Sequence, residues 1–387
     1  MFLKKVLENN KKLVEYAFIL EQNGQILPDT YVLDYDMIMQ NAKRMLEVAK
    51  PLDIKLYFML KQIGRNPLIA KGLMEVGFDG VVAVDYKETL VMIDNDIKLG
   101  NIGHLVQVPE KCLYKVLKAK PEVMTVYSYE KIDSINRIAK ELNIIQPLLI
   151  RINDDSSKLY SGQVGGFMLK NLKEVIDYIA KLDNVKLGGL TVFPALLFDG
   201  EAIKPTANYE VLKKAKAITD ELGYHDILIN IPSATCVNSI PLIKELGGNN
   251  GEPGHGLTGT TPLHAKSDEV EKVAYVYVSE VSHNYGDKSY CYGGGHYRRG
   301  HMENALVGKN LDNAKMVEIS APSEESIDYH LELAENTNVG DTVIVCARTQ
   351  VFTTRSHVAV VKGLSIDNPQ IVGIYNPWGE KVEVNWQ

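Results

Sequence analysis

The chain has 387 residues, of which 45% are hydrophobic and 24% are charged, a composition typical of a soluble globular protein. Its formal net charge of −7 and its isoelectric point near 5.8 argue against a nucleic-acid-binding or anionic-membrane-binding surface. No segment approaches the length of an uninterrupted apolar membrane span. The length is sufficient for one large domain and one smaller domain.

The start of the chain predicts a helical segment rather than a targeting signal. Residues 1–10 are polar and carry lysines, and no apolar signal core follows them. Lys11 to Gln22 has the apolar spacing of an amphipathic helix. The four cysteines form no CxxC pair, so the sequence favours neither a disulfide framework nor a metal site, and we expect a cytoplasmic location.

From residue 30 to residue 265, short apolar runs alternate with longer amphipathic stretches. This alternation predicts parallel strands joined by right-handed helical crossovers. Eight runs suggest a closed (β/α)8 barrel of the TIM type, with an open doubly wound sheet as the alternative, because periodicity does not show closure. The predicted strands are Tyr57–Leu60, Gly80–Val84, His104–Val108, Val123–Tyr127, Pro147–Ile152, Gly188–Phe193, Ile227–Ile231 and, more weakly, Gly251–Leu257. The predicted helices are Asn66–Val76, Tyr86–Asp94, Glu130–Leu142, Leu172–Leu182 and Tyr209–Leu222.

The pattern changes near Lys266. Residues 266–387 contain alternating apolar runs separated by Gly, Asn and Pro turns, which predict a mostly antiparallel β-domain. A helical pattern occurs there only at Ser323–Glu335. We expect residues 1–29 to pack with this β-domain. Its predicted strands are Val273–Val281, Asp341–Val345, His357–Lys362 and Pro369–Tyr375.

Three side chains end predicted barrel strands, where the chemistry of such barrels takes place. Lys61 follows the first strand directly, and partial burial there would lower the pKa of its amine and make it nucleophilic. Arg151 closes the fifth strand and is either a surface ion-pair partner or a fixed cation over the site. Phe193 ends the sixth strand and is either a core residue or an aromatic that lies against a flat ligand ring.

The loops after the last two predicted strands have the composition of an anion site. Ser233-Ala234-Thr235 follows the seventh strand, and the segment Gly251 to Gly259, with Gly254, His255 and Thr258, forms the eighth. Small residues let backbone N–H groups approach an anion, although ordinary loop punctuation explains either loop alone. Glu252 is unusual in this segment because a buried carboxylate needs a partner, and a pyridinium nitrogen would be one.

In the predicted β-domain, the segment Tyr290 to Arg299 concentrates reactive side chains. Its three consecutive glycines lack the GxGxxG spacing and the following helix of a nucleotide loop. We therefore interpret the segment as a turn that presents side chains, although tyrosines in strands also commonly pack on a sheet face.

At these residues the sequence resembles the fold-type III pyridoxal-phosphate (PLP) enzymes, which include alanine racemases, ornithine and diaminopimelate decarboxylases, and D-threonine aldolases. Thr30-Tyr31-Val32-Leu33-Asp34, with Asn41, is similar to the start of these enzymes, and Lys61 with Gly64, Pro67 and Ala70 is similar to their Schiff-base lysine block. Leu149-Ile150-Arg151-Ile152 resembles the arginine strand of the decarboxylases. Glu252-Pro253-Gly254-His255 resembles their EPGR motif. The pattern is also similar to the bacterial YhfX group.

The resemblance implies that Lys61 holds PLP as a Schiff base and that Glu252 meets the pyridine nitrogen. It also implies that Ser233, Gly254 and His255 surround the phosphate, with Arg151, Phe193, Thr235 and Thr258 nearby. Three positions depart from the family pattern: His255 replaces the arginine of EPGR, Phe193 replaces the histidine that lies against the ring, and the cysteine-aspartate tip of the decarboxylases is not evident. Cofactor binding therefore follows more directly from the resemblance than reaction type does.

The leading hypothesis is an amino-acid racemase or epimerase, in which Lys61 serves one face of the substrate. The second acid or base would come from the β-domain of a partner subunit in a homodimer with shared sites, with Tyr290, Tyr292, His296 and Cys346 as candidates. The alternatives are a decarboxylase or aldolase, a PLP-binding protein without turnover, and a PLP-free barrel lyase. An acidic Glu252 favours the decarboxylase or aldolase and counts against an alanine-type racemase.

Overall fold

The structure is a computed structural model that describes residues 2–384. These residues form two compact units, one of residues 2–42, 60–69 and 255–384, and one of residues 43–59 and 70–254. We call the second of these the barrel unit and the first the β-sheet unit. The α-helices are α1 Phe2–Asn9, α2 Lys11–Gln22, α3 Tyr35–Ala49, α4 Pro67–Val76, α5 Tyr86–Asp94, α6 Leu113–Lys118, α7 Tyr129–Glu141, α8 Leu172–Ala180, α9 Ala207–Glu221, α10 Ile240–Glu245 and α11 Pro262–Lys266.

The strands fall into two large sheets and one small hairpin. They are β1 Thr30–Asp34, β2 Lys55–Phe58, β3 Gly80–Ala83, β4 Leu99–Ile102, β5 Val123–Val126, β6 Gln146–Asn153, β7 Phe167–Met168, β8 Val185–Thr191, β9 Leu196–Phe198, β10 Ile203–Pro205, β11 Leu228–Asn230, β12 Asn250–Gly251, β13 Tyr275–Tyr285, β14 Lys288–Tyr292, β15 Asn304–Gly308, β16 Lys315–Ser320, β17 His330–Leu333, β18 Thr342–Val345, β19 His357–Lys362 and β20 Gln370–Tyr375.

The barrel unit is a closed parallel barrel. Its nine-stranded sheet has the order β5-β4-β3-β2-β12-β11-β8-β6-β7, and β6 also pairs with β5, which closes a ring of eight strands with β7 outside it. The interior is filled by buried apolar side chains, as barrel interiors of this size are. The structure confirms the barrel prediction and excludes the open doubly wound sheet.

Two predicted barrel strands differ from the structure. The third strand of the barrel is Leu99–Ile102, so the prediction of a strand at His104–Val108 was wrong, and Gly103 begins a turn with φ of +90°. The eighth strand is only Asn250–Gly251, and the rest of the predicted segment Gly251–Leu257 is turn.

The β-sheet unit contains one nine-stranded sheet, in the order β14-β17-β16-β15-β18-β13-β1-β19-β20. All neighbouring pairs are antiparallel except β1 with β19, so the predicted mostly antiparallel β-domain is confirmed. The strand Thr30–Asp34 was grouped with the barrel in the sequence, but here it pairs with β13 and β19 in the second sheet. Its partners come from distant parts of the chain, and sequence order gives no indication of them.

Helix α2 attaches to the same sheet through polar contacts with Thr342. The Gln22 amide and the Thr342 hydroxyl approach within 2.8 Å, and Thr342 also donates to the Glu21 carboxylate. The predicted helix at Ser323–Glu335 is absent, because this segment is a turn followed by β17. Within residues 2–384, no helix is long and apolar enough to span a membrane.

Candidate functional site

The barrel unit holds a buried carboxylate at the end of its shortest strand. Glu252 directly follows β12 and is only 6% exposed. Its Oε1 atom accepts hydrogen bonds from the side-chain amides of Asn101 and Asn230, each at 2.9 Å. Two N–H donors on one oxygen favour the ionised carboxylate, because hydrogen bonds to a charged acceptor are stronger than those to a neutral acid.

The two amides are themselves oriented by hydroxyl groups. Thr125 donates to the Asn101 carbonyl oxygen at 2.7 Å, so the NH2 group of Asn101 has to face Glu252. The Asn230 amide also reaches the Thr191 hydroxyl at 3.1 Å. We call Glu252 with these two amides the carboxylate clamp. It places a fixed negative charge in a buried part of the barrel unit.

His104 is a member of this group that the sequence analysis missed. Its Nε2 atom lies 3.6 Å from Oε2 of Glu252, and both side chains are almost fully buried. The imidazole meets the Phe193 ring edge to face, at 5.4 Å between centroids. No motif marks His104 in the sequence, and the prediction placed it at the start of a strand, His104–Val108, that the structure does not contain.

Arg151 is buried and forms hydrogen bonds to two other segments of the barrel unit. It is 1% exposed, which excludes the surface ion pair that the sequence left open. Its guanidinium donates to the Tyr127 hydroxyl at 2.6 Å and to the Gln163 carbonyl at 2.8 Å. Its Cζ atom lies 5.0 Å from the Tyr127 ring centroid and 5.9 Å from that of Phe193. Burial raises the pKa of Tyr127, partly offset by Arg151, so this pair carries the cation and not a phenolate.

The loop after β11 has the backbone of an anion-binding turn. Ser233 and Ala234 both have positive φ, +84° and +51°, which side-chain-bearing residues seldom adopt and which costs free energy. The Ser233 hydroxyl is buried and has no hydrogen-bond partner among the described residues. Thr235 accepts from the backbone N–H of Glu252 at 3.1 Å and so ties this loop to the carboxylate clamp. A strained loop with an unsatisfied buried donor fits a ligand that carries acceptor oxygens.

In the β-sheet unit, Lys61 opens the short 3-10 helix Lys61–Ile63 and is partly buried. This helix ends at Gly64, whose φ of +71° is left-handed. A Cβ atom at Gly64 would come within 3.0 Å of the Val358 side chain, so glycine is required there for two reasons. Close packing around Gly64 therefore fixes the chain beside Lys61.

His255 is fully engaged by protein groups in the same unit. Its Nδ1 lies 3.0 Å from the Thr260 hydroxyl and its Nε2 lies 3.2 Å from the Gln350 amide nitrogen. Burial, with Arg348 and Lys61 nearby, holds the pKa of His255 well below its usual range, so the ring is neutral at pH 7. The neighbouring Thr258 donates to the His255 carbonyl at 3.2 Å. His255 thus lacks the charge of the arginine found in EPGR, and its ring holds the loop together.

The predicted acid/base residues of the β-sheet unit lie in three different settings. Cys346 is buried, its thiol donates to the Tyr275 carbonyl at 3.3 Å, and burial raises its pKa, all of which disfavour proton transfer. Tyr290 stacks on His283 at 5.0 Å, and its hydroxyl lies 3.4 Å from Glu332. His296 is half-buried, and its Nδ1 has no partner among the described residues. Burial lowers the pKa of His296, which leaves a neutral imidazole at pH 7.

The barrel unit therefore offers features that match the two charged ends of PLP. A fixed carboxylate fits a protonated ring nitrogen, and the Ser233 loop fits a phosphate group. Gly254 lies two residues after Glu252 and is partly exposed, which leaves its backbone accessible. The Ser233 hydroxyl and the backbone N–H groups of these loops are hydrogen-bond donors of the kind that a phosphate group accepts from.

Comparison with known proteins agrees with this architecture. Residues 33–262 match the family model described as alanine racemase, N-terminal domain, and residues 276–371 match the model described as YhfX-like, C-terminal domain. The chain is 40% identical over 386 residues to the "Uncharacterized protein YhfX" of Escherichia coli (strain K12), with 99% of this chain and all of that protein covered. A "Pyridoxal phosphate homeostasis protein" of Aquifex aeolicus (strain VF5) is 31% identical over 28% of this chain and 45% of its own length.

Solved structures share the fold at low sequence identity. D-Threonine aldolase from Filomicrobium marinum has a TM-score of 0.66 and 16% identity, covering 91% of this chain and 94% of its own. Alanine racemase from Clostridium difficile 630 has a TM-score of 0.63 and 18% identity, covering 91% and 99%. The resemblance predicted from the sequence is confirmed: the chain belongs to the alanine racemase N-terminal domain family and, over its whole length, to the family of E. coli YhfX.

Proposed function

We propose that this protein is a PLP-dependent enzyme that acts on an amino acid, with Lys61 as the covalent anchor of the cofactor. The observation that carries the proposal is the carboxylate clamp, a buried negative charge held by Asn101 and Asn230. A cationic group stabilises a buried negative charge, and a protonated pyridine nitrogen is a suitable cation for this carboxylate. Family membership supports the same cofactor.

The bound cofactor supplies an electron sink for negative charge that develops at the substrate Cα. Glu252 holds the proton on the ring nitrogen, and the two amides keep this carboxylate ionised and correctly oriented. The Ser233 loop orients the phosphate through its buried hydroxyl and its backbone. Lys61 would hold the cofactor, and its amine would move a proton at one face of the substrate Cα.

Two reaction classes remain, and a different observation favours each. The racemase or epimerase needs a second proton-transfer group, and His296 suits this role best because it is half-buried, neutral and has an unsatisfied ring nitrogen. The decarboxylase or aldolase is favoured by the carboxylate at position 252, which maximises electron withdrawal by the ring. We retain the racemase or epimerase as the leading proposal and the lyase as the second candidate.

One experiment separates these classes. The purified holoprotein is incubated in D2O with a panel of D- and L-amino acids, and the products are followed by proton NMR and chiral chromatography. A racemase replaces the Cα proton by deuterium and forms both enantiomers. A lyase loses the carboxyl group or releases an aldehyde. Lys61→Ala should abolish either reaction, whereas the exposed control Lys71→Ala should retain it. A loaded protein without exchange or turnover on the whole panel would favour a homeostasis role and contradict the enzyme proposal.

We also propose a homodimer in which the β-sheet unit of one protomer completes the site of its partner. Lys61 would serve only one face of the substrate Cα, so a racemase would need its second proton-transfer group from another residue. Mixing inactive Lys61→Ala subunits with inactive His296→Gln subunits should restore activity, because one hybrid site regains both groups. A strictly monomeric protein in sedimentation would contradict the shared site.

A further inference from the structure

The β-sheet unit contains a polar cleft of about 390 Å³, and His296 is one of its lining residues. Its walls are the glycine turn that ends at His296, the loop from Pro322 to Asp328, and the segment Thr353 to Arg355. The cleft lies within the residues that match the YhfX-like C-terminal domain. Three residues of the segment Tyr290 to Arg299 line the cleft, namely Gly294, His296 and Arg298.

The glycine turn can be built only from glycine. A Cβ atom at Gly293 would lie 2.1 Å from the Asp328 carbonyl oxygen, and one at Gly294 would lie 1.9 Å from the Asp29 carboxylate. A Cβ atom at Gly295 would lie 2.3 Å from the Tyr277 ring. These close approaches fix the backbone and with it the position of His296 at the cleft wall.

Asp328 connects the three walls of the cleft through hydrogen bonds, and these bonds occupy its carboxylate. Its Oδ2 accepts from the backbone N–H groups of Gly294 at 3.1 Å and His296 at 3.4 Å, and its Oδ1 accepts from Arg355 at 2.8 Å. Arg355 also donates to the Asp328 carbonyl at 2.7 Å. The cleft is therefore held in shape without a ligand, and its only lining carboxylate among the described residues is already satisfied.

The remaining lining groups define the ligand. The Arg298 side chain is 73% exposed and lies 3.8 Å from Glu324, a weak surface pair, so its guanidinium can turn to an anionic group. The hydroxyls of Ser326, Thr353 and Thr354 donate to backbone carbonyls and so offer their oxygens as acceptors. His296 adds an unsatisfied Nδ1. Only Pro322 and Ile327 supply larger apolar side chains, which does not suit a hydrophobic ligand.

We propose that this cleft binds a small organic acid that also carries hydroxyl or amine donors, a hydroxy acid or an amino acid in chemical class. The acid group pairs with Arg298, and the donors reach the hydroxyl oxygens of the cleft wall. This binding does not depend on the cofactor or on the reaction class proposed above.

The test uses three probes that separate these two recognition elements. Tartrate carries acid and hydroxyl groups, succinate carries the acid groups alone, and glycerol carries hydroxyls alone. Binding is followed through the isotope-labelled methyl group of Ile327, which lines the cleft, with Ile366 as an exposed reference outside it. Tartrate should shift the Ile327 signal in a saturable way, succinate more weakly and glycerol not at all.

Two arginine variants test whether tartrate binds in the cleft. Arg298→Gln should weaken tartrate binding about tenfold, because a charge-assisted contact is lost. The exposed neighbour Arg299 does not line the cleft, so Arg299→Gln should leave the affinity within about twofold of the original. Absence of saturable tartrate binding would overturn the proposal, as would an unchanged affinity in Arg298→Gln or equal binding of tartrate and glycerol. A protein that fails to load PLP can still give the full result, so failure of the proposed function is distinguishable.

Discussion

Buried carboxylates occur in both units, but they are surrounded by different groups. In the barrel unit, Glu252 receives two amide N–H groups on a single oxygen. In the β-sheet unit, Glu21 is served by Thr342 and Gln22, and burial raises its pKa from the ordinary 4.5 to about 6. Asp29, served by Ser356 and Tyr277, has its pKa raised by burial to about 6 as well.

The different hydrogen-bond partners indicate different roles for these carboxylates. Glu21 and Asp29 each have a hydroxyl partner, which can donate to a carboxylate or accept from a carboxylic acid, so protonation need not break that contact. The side-chain partners of Glu252 Oε1 are amide N–H groups, which can only donate, so the carboxylate clamp favours the ionised form. The first arrangement suits packing, and the second suits a permanent electrostatic role toward a cationic group.

The largest effect on this comparison should come from Glu252→Gln. Glutamine retains the shape and can accept from both amides, but it removes the negative charge. We expect cofactor loading to survive and turnover to fall by roughly a hundredfold, because proton retention at the ring nitrogen is lost. Steady-state kinetics with the substrate found in D2O would measure this.

A matched control is Glu122→Gln, which removes a carboxylate paired with Lys55 and Lys98. Its turnover should stay close to that of the unchanged protein. Equal turnover in Glu252→Gln and Glu122→Gln would show that the clamp has no electrostatic role in catalysis.

A smaller effect is expected when one arm of the clamp is removed. Asn101→Leu deletes a donor to a buried charge, which should cost about 1.5–3 kcal/mol of unfolding free energy. Asn95→Leu deletes an amide that donates to the neutral Val91 carbonyl at 2.9 Å and should cost about 1 kcal/mol. Urea denaturation of the cofactor-free protein measures both. If the two losses are equal, Glu252 is not the charged acceptor that the clamp requires.

The smallest effect concerns the pH dependence of stability. Because the pKa of Glu21 is raised in the folded state, the folded protein retains a proton that the unfolded chain releases between pH 4.5 and about 6. Stability from this group is present below that window and is lost as the pH rises through it, by about 2 kcal/mol. Glu21→Gln should reduce the decline by its own share and leave the share of Asp29, whereas the exposed Glu47→Gln should leave the whole decline unchanged. Unfolding curves from pH 4 to pH 7 check this, and an undiminished decline in Glu21→Gln would assign it to other groups.

The sequence predicted the barrel well because its helices and most of its strands follow hydrophobic periodicity. It failed at β4, where Gly100 and Asn101 interrupt the apolar pattern. Gly100 is required because a Cβ atom there would lie 2.4 Å from the Tyr57 ring, and Asn101 is required by the clamp. The strand was thus missed where packing and the site demand residues with low strand propensity.

The candidate site could be predicted from the sequence only in part, because some of its residues come together only when the strands pair. Glu252 and Ser233 stand out in the sequence because a carboxylate and a hydroxyl interrupt glycine-rich loops at late strands. His104 and Asn230 gave no such signal, since their relation to Glu252 exists only after the strands pair. The buried environments of Cys346 and His255 also depend on long-range packing, which the sequence does not encode locally.

The most direct test of the account is to reduce the purified holoprotein with borohydride, digest it and locate the cofactor adduct by mass spectrometry. We predict a single modified peptide with PLP on Lys61, and loss of both the adduct and the borohydride-sensitive visible absorption in Lys61→Ala. Lys71→Ala should retain both. An adduct on another lysine, or a Lys61→Ala protein that still forms one, would contradict the assignment of Lys61 as the cofactor anchor.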